Sequence, residues 1–252
     1  MRRIRCIVTY DGTQFSGYQR QINQRTVQGE LEKCLKIVTK QEVTIHGSGR
    51  TDAGVHALGQ VFHFDSPLNM PSGAYRKALN GLLPDDISIV ESVEVDGGFH
   101  SRLCAELKEY HYKLSMNNYD PIKRNYVYQY GRRLDLEKME KAMRYLIGTH
   151  DFSSFCANME DRDKVRTIFE AEIINDNGEL TFRFVGSGFL RYMIRILVGT
   201  LLEVGEGKKQ PEQIPVIIEA KNRRLAGRTA SPEGLYLVRV QYNEKWLPLT
   251  EN

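Results

Sequence analysis

Hydrophobic and polar positions along the chain follow two periods, and the switches between them mark out the elements. Ile4 to Tyr10 is rich in β-branched residues and predicts a strand, followed by a polar loop with scattered aromatic residues through Arg25. Thr26 is placed to cap a helix in which Val27, Leu31, Cys34, Leu35 and Val38 recur at helical spacing. Val43 to His46 predicts a short strand, and a glycine-rich loop follows. Gln60 to Asp65 alternates, with Val61, His63 and Asp65 on one face and Phe62 and Phe64 on the other. Pro71 opens a second helix that turns Ala74, Leu79 and Leu82 inward, and Ile87 to Val95 is a further strand. The order β-α-β-β-α-β is the split βαβ, ferredoxin-like pattern, with both helices on one face of an antiparallel sheet.

A second series begins after Phe99 and His100. It comprises strands from Glu109 to Ser115 and from Tyr126 to Tyr130, and a helix from Leu136 to Ile147. Two long strands, Val165 to Ile174 and Glu179 to Val185, meet at Asn175-Asp176-Asn177-Gly178, where Asn-Gly is a strong hairpin signal. Helices from Phe189 and from Pro211 precede a closing strand, Leu235 to Tyr242. The polar stretch near Cys104 divides the chain into two α+β halves, residues 1–104 and 105–252, alike in layout more than in sequence.

Composition changes this picture little. Hydrophobic residues make up 41% of 252, enough for a substantial core, and the net charge of +3 does not by itself announce a nucleic-acid binder, so any basic surface must be local. Cys6, Cys34, Cys104 and Cys156 are widely spaced, with no C-x-x-C and no clustered histidines, which argues against a zinc site and against a disulfide framework. The apolar run after Arg5 is too short for a signal peptide. The stretch from Phe189 to Val204 carries Arg191 and Arg195 and is too short to span a bilayer, so a soluble, cytoplasmic protein is expected.

Candidate chemistry concentrates in Gly47-Ser48-Gly49-Arg50-Thr51-Asp52-Ala53-Gly54-Val55-His56-Ala57. Its glycines permit positive backbone dihedrals and close approach of another molecule. The spacing G-x-G-x-x-x-x-G is neither a dinucleotide fingerprint nor a Walker loop, and no Gly-Lys-Ser/Thr follows. On local pattern alone, Asp52 reads equally as an Asx-turn or helix-cap residue and Arg50 as its surface ion partner.

The run Gly49 to His56 resembles the active-site signature of the tRNA pseudouridine synthase A family. Further segments match that family in the same order: Tyr10 to Thr13, Phe15 to Arg20, Thr26 to Gln28, Phe99 to Arg102, Tyr110 to Tyr112, His150 to Phe152, Val165 to Ile168, Phe189 to Arg195 and Glu233 to Leu237. The resemblance spans nearly the whole chain. It implies two ferredoxin-like halves joined into one mainly antiparallel sheet, with helices on one face and the active site in a cleft between the halves. It further implies isomerisation of uridine to pseudouridine in the anticodon stem and loop of tRNA, about positions 38, 39 and/or 40, where the target base must first leave the stack. A homodimer is expected, with tRNA touching both subunits.

That reaction breaks the bond from the base nitrogen to the ribose, rotates the uracil and joins its carbon 5 to the same sugar carbon. No redox change occurs, so neither cofactor nor metal is expected. The resemblance makes Asp52 the nucleophile, leaving open attack on the anomeric carbon, addition to the base, or removal of a sugar proton. Arg195, on an apolar helix where a charge needs a partner, is the candidate for keeping Asp52 ionised, with an ion pair to Glu203 or solvent as the alternative. Tyr110 fits the family's base-stacking tyrosine, Tyr112 shares its strand face, and Leu237 fits the apolar contact to the base.

For the RNA, Arg50 is placed to enter the vacated space or grip flanking phosphates. Gln19 and Arg20 belong to the segment Tyr18 to Arg25, whose amides and arginines suit a backbone-gripping loop, and Lys221, Arg223, Arg224 and Arg228 form a second basic cluster. His56 and His63 read as structural. Against the family pattern, Ser48 stands where Ala is frequent and Ile196 where a polar residue is often found. Two rival readings are an RNA-binding module without chemistry, which lacks a clear RNP aromatic string, and a phosphate-loop nucleotide enzyme, which lacks the lysine.

Overall fold

The computed structural model describes residues 1–157 and 163–246. The chain is α+β with mostly antiparallel strands. It divides into two compact units, residues 1–106 with 236–246, and residues 107–235.

The first unit is built from β1 (Arg2–Tyr10), α1 (Val27–Thr39), β2 (His46–Gly47), β3 (His56–Ser66), α2 (Ala74–Asn80) and β4 (Ile87–Val95). Strand β1 lies between β3 and β4, antiparallel to both, and β2 pairs antiparallel with β3, which gives the ferredoxin-like order β4-β1-β3-β2. Ile4, Cys6 and Val8 stand opposite Phe64, Phe62 and Gln60, and this face forms the core with Val27, Leu31, Leu35, Tyr75 and Leu79 from the helices. Thr26 caps α1, its Oγ1 accepting from Gly29 N at 3.2 Å. The opposite face of β3 is also covered: His63 is buried and meets Phe99 edge-on at 5.8 Å, and Phe99 in turn meets Tyr242 and Trp246.

Two local expectations shift. The short strand forms at His46–Gly47 rather than from Val43, because Val43 and Ile45 spend their side chains on the core before pairing with β3 begins. Leu82 is 43% exposed, since α2 stops at Asn80, and Tyr75 fills the core in its place against Phe64 at 5.4 Å.

The second unit contains β5 (Ala105–Ser115), β6 (Tyr128–Gln129), α3 (Leu136–Arg144), β7 (Gly148–Asp151), β8 (Val165–Asp176), β9 (Glu179–Gly186), α4 (Met193–Gly205) and α5 (Gln213–Ala220). Antiparallel pairing runs β5-β9-β8-β7, with β6 parallel to the end of β5. The β8–β9 hairpin turns at Asn177 and Gly178, both at positive φ (49° and 88°), as a two-residue primed turn requires. Strand β7, unforeseen in the sequence, occupies residues just beyond the end of α3, which is shorter than its periodicity suggests. Helix α4 begins at Met193 rather than Phe189, because Tyr192 takes a left-handed conformation (φ 61°) that breaks the helical path. The last strand, β10 (Leu235–Tyr242), returns to the first unit, where Tyr236 and Leu237 run parallel to His56 and Ala57 of β3.

Candidate active site

The glycine-rich segment is the connection of the β2–β3 hairpin, so strand pairing fixes both its ends. At its foot, Ser48 N donates to Val61 O at 2.7 Å; at its far side, Val55 N donates to Asp52 O at 3.2 Å, in a turn where Gly54 has φ 77°. The loop rests on residues 12–18. Tyr18 N donates to Thr51 O at 3.0 Å, Gly54 N to Phe15 O at 3.4 Å, and Gly12 N to His56 Nδ1 at 3.0 Å. Contact is so close that a Cβ on Gly12 would lie 2.0 Å from the Val55 carbonyl oxygen, and one on Gly17, itself at φ 95°, would lie 2.9 Å from the Thr51 carbonyl oxygen. Two sequence motifs far apart in the chain are therefore two sides of one packed surface.

Side chains in the loop divide by direction. Ser48 and Thr51 are buried, Asp52 is half-buried, and Arg50 and Ala53 are exposed. Thr51 Oγ1 lies 2.8 Å from Tyr10 Oη, whose pKa is pushed up to about 12 by burial against the opposing pull of Thr51 and Gln60. Ser48 Oγ donates to Gln60 Oε1 at 2.6 Å, and Gln60 Nε2 donates to Gly49 O at 3.1 Å. Arg50 makes no hydrogen bond or ion pair among the described residues. Its guanidinium is presented to solvent on a loop whose backbone is held from below.

Beside the end of the loop, Tyr236 stacks on His56 at 4.8 Å and Leu237 pairs in register with Ala57, fully buried. His56 is likewise buried, its Nδ1 accepting from Gly12. The Asp11 carboxylate, 3.2 Å from that nitrogen, also accepts from Thr13 N and Thr13 Oγ1, so both residues shape the platform under the loop.

In the second unit, Tyr110 stands on β5 opposite Phe184 and meets Phe189 edge-on at 5.3 Å, with 8% of its surface exposed. Tyr112 is fully buried and its hydroxyl donates to Ser231 O at 2.8 Å; burial holds its pKa well above the ordinary value. That commitment makes Tyr112 a packing residue, whereas Tyr110 keeps a little of its surface accessible. Arg195 sits in the first turn of α4, a helix in which every residue but Arg195 and Glu203 is buried. A Cβ on Gly199 would lie 1.7 Å from Arg228 O, so the chain from Gly227 to Ala230 passes directly against the helix. There Ala230 N donates to Arg195 O at 2.9 Å and Arg195 Nε donates to Ala230 O at 2.7 Å, fixing the guanidinium. The Arg195 guanidinium also stands 5.1 Å from the ring of Tyr192, the left-handed residue that opens the helix. Glu203 engages Lys209 at 3.4 Å and the Arg228 N–H at 3.4 Å instead of Arg195.

The basic segments separate into committed and open members. Gln19 and Arg20 are exposed; Arg20 N donates to Gln28 Oε1 at 3.1 Å, and its side chain, 70% in solvent, forms a 3.2 Å ion pair to Glu32. Arg25, by contrast, forks onto Asp86 at 2.7 and 2.8 Å over the ring of Phe15 and is part of the scaffold. Lys221 pairs with Asp151 at 2.9 Å, Arg223 donates to Gly227 O at 2.9 Å, and Arg228 to Tyr128 Oη at 3.3 Å, so Arg224 is the least engaged of that cluster. Among the described residues no cluster of His, Cys, Asp and Glu is arranged to hold a metal ion, and no helix is long and apolar enough to cross a membrane.

Residues 6–102 and 142–243 match the family model described as tRNA pseudouridine synthase. The chain belongs to this family. Proteins named tRNA pseudouridine synthase A agree almost end to end. That of Anoxybacillus flavithermus is 53% identical over 96% of this chain and all of its own length. That of an Exiguobacterium species is 52% identical over 97% of this chain and 99% of its own, and that of Geobacillus kaustophilus 51% over 98% and 96%. Within this pseudouridine synthase, Gln60, Tyr10 and Thr51 tie the loop to the core, and of these Gln60 occupies the inward phase of β3 shared with Phe62 and Phe64. A polar residue at an apolar phase was the available signal. Of the two departures from the family pattern, Ser48 is a buried strut of the loop, and Ile196 faces the core with none of its surface exposed.

Proposed function

We propose that this chain isomerises uridine to pseudouridine in the anticodon stem and loop of tRNA, using Asp52 as the nucleophile and no cofactor. The observation that carries the reading is the form of the loop: a half-buried carboxylate on a backbone held by Tyr18, Phe15, Gln60 and Val61, beside an arginine left in solvent. A fixed carboxylate suits covalent attack, because a nucleophile must be held near its target for orientation to lower the barrier. Substrate and product have the same atoms, and the only proton lost, from carbon 5, is balanced by one gained at the ring nitrogen released from the sugar.

Each remaining residue takes one task. Arg195, anchored through Nε to the chain beside α4, supplies the positive charge that keeps a carboxylate ionised. Tyr110 offers an aromatic face to the uracil, and Leu237, buried beside Ala57, backs the apolar side of its pocket from the core. Arg50 fills the space left when the nucleotide leaves the stack, while Gln19 and Arg20 hold backbone phosphates. The working form is a cytoplasmic homodimer on tRNA.

Tritium release from tRNA labelled at carbon 5 of uridine tests the assignment. Asp52→Asn abolishes release while tRNA binding, read by filter retention, stays near that of the unaltered protein. An RNA-binding module without chemistry shows no release in either protein, and an active Asp52→Asn variant refutes the nucleophile.

A further inference from the structure

We infer that Gln60 is a positioning residue for the reaction, setting the place of Asp52 by holding the loop from inside the core. The inference rests on Asp52 as the reacting carboxylate.

Gln60 has none of its surface exposed and lies on the face of β3 that meets Val8 of β1, among apolar neighbours. Burying a carboxamide there is unfavourable unless its donors and acceptor are used. They are used on the loop. Its Oε1 accepts from Ser48 Oγ at 2.6 Å and from Val61 N at 3.1 Å, and its Nε2 donates to Gly49 O at 3.1 Å. Its amide also acts on the phenol of Tyr10, which lies 2.8 Å from Thr51 Oγ1. One side chain therefore reaches Ser48 and Gly49 directly and Thr51 through Tyr10, three of the four residues that lead into Asp52.

Arg50 and Asp52 make up the outward side of this stretch, and Gln60 and Tyr10 address its inward side. Thr51 is gripped twice, by Tyr10 at its hydroxyl and by Tyr18 N at its carbonyl. A loop tied only at its strand ends retains freedom in its middle; ties at Gly49 and Thr51 remove it on either side of Arg50 and immediately before Asp52. A displacement near 1 Å of a reacting group lowers a rate by about 100-fold. That is the scale expected when Gln60 is replaced by an isosteric group without hydrogen bonds.

The experiment compares Gln60→Met, Gln60→Glu and Asp52→Asn in the full-length protein by single-turnover tritium release, tRNA binding and thermal unfolding. Gln60→Met is expected to lower the single-turnover rate about 100-fold with tRNA affinity within about twofold, measured well below its own Tm so that the folded fraction is complete. A structural role alone lowers Tm and leaves the rate of the folded protein unchanged, and that result overturns the inference. Gln60→Glu adds a second readout. A buried carboxyl has a raised pKa, and its protonated form restores a donor beside Gly49 O, so activity relative to the unaltered protein climbs as pH is lowered. A ratio independent of pH counts against the role. If Asp52→Asn is itself active, the nucleophile reading has failed; if it is inactive while both Gln60 variants keep the full rate, only the positioning role has failed.

Discussion

Two loops of the first unit, residues 48–55 and 19–24, both carry an exposed arginine, yet they are built in opposite ways. The first is held along its length: Ser48 to Val61, Gly49 to Gln60, Thr51 to Tyr10 and Tyr18, Gly54 to Phe15. The second is closed at its base, where Ser16 N donates to Arg25 O at 2.9 Å and Ser16 Oγ to Gln24 Oε1 at 2.8 Å, and its tip, with Ile22 90% exposed and Asn23 at φ 56°, lies in solvent. The difference matches the tasks proposed for them. A reacting carboxylate needs a fixed place, whereas contacts to a phosphate backbone tolerate adjustment.

The sharpest way to break the comparison is Gly12→Ala. Its Cβ would lie 2.0 Å from a main-chain oxygen of the glycine loop, so the backbone must move; the expected loss is about 1–3 kcal/mol, with a fall in turnover alongside. Thermal unfolding and tritium release measure both. An unchanged Tm means that the two segments do not pack as described.

An intermediate effect comes from pH. His46 and His63 are cross-strand partners in the hairpin that carries the first loop, with rings stacked at 5.0 Å. Burial, with Arg3, His100 and His46 nearby, pushes the pKa of His63 down from an ordinary 6.5 to about 3. The unfolded chain then takes the proton first, so the stability held by the neutral ring is complete above pH 6.5 and is lost as pH falls from there toward 3. Amide protection factors, which are corrected for the intrinsic pH dependence of exchange, are expected to fall between pH 7.5 and pH 5 in residues 48–55 more than in 19–24, and His63→Phe to remove that excess. An equal loss of protection in both loops counts against a special role for the hairpin.

The smallest effect on stability belongs to the second loop. Arg20→Ala should change unfolding free energy by about 1 kcal/mol or less, because the Arg20 side chain is mostly in solvent and the buried Glu32 carboxylate keeps its hydrogen bonds from Gln28 Nε2 and Ile45 N. If Arg20 meets a phosphate, the same change weakens tRNA binding and lowers the slope of log K against log salt by about 1. A slope equal to that of the unaltered protein removes Arg20 from the RNA surface.

Much of the fold is legible in the sequence because local periodicity and turn chemistry agree with it. Thr26 caps α1, Asn177-Gly178 turns the β8–β9 hairpin, and β4 and β10 fall at the residues their patterns predict. Failures come where tertiary contact outweighs pattern. Leu82 is apolar at helical spacing but falls beyond the end of α2, and Arg25 belongs to an RNA-like basic run but is claimed by Asp86 and Phe15.

The order of motifs along the chain determined by itself that this is a tRNA pseudouridine synthase family member, and singled out Asp52 and Arg50 within the glycine loop. Periodicity determined the ferredoxin-like arrangement of the first unit, since alternation and helical spacing depend on neighbours a few residues away. Only the tertiary structure decided that the loop rests on Gly12 to Tyr18, that Arg195 is fixed by Ala230, and that Gln60 reaches into the loop from the core. Those facts depend on residues distant in sequence meeting at hydrogen-bond range, and no spacing along a single strand or helix encodes such a meeting.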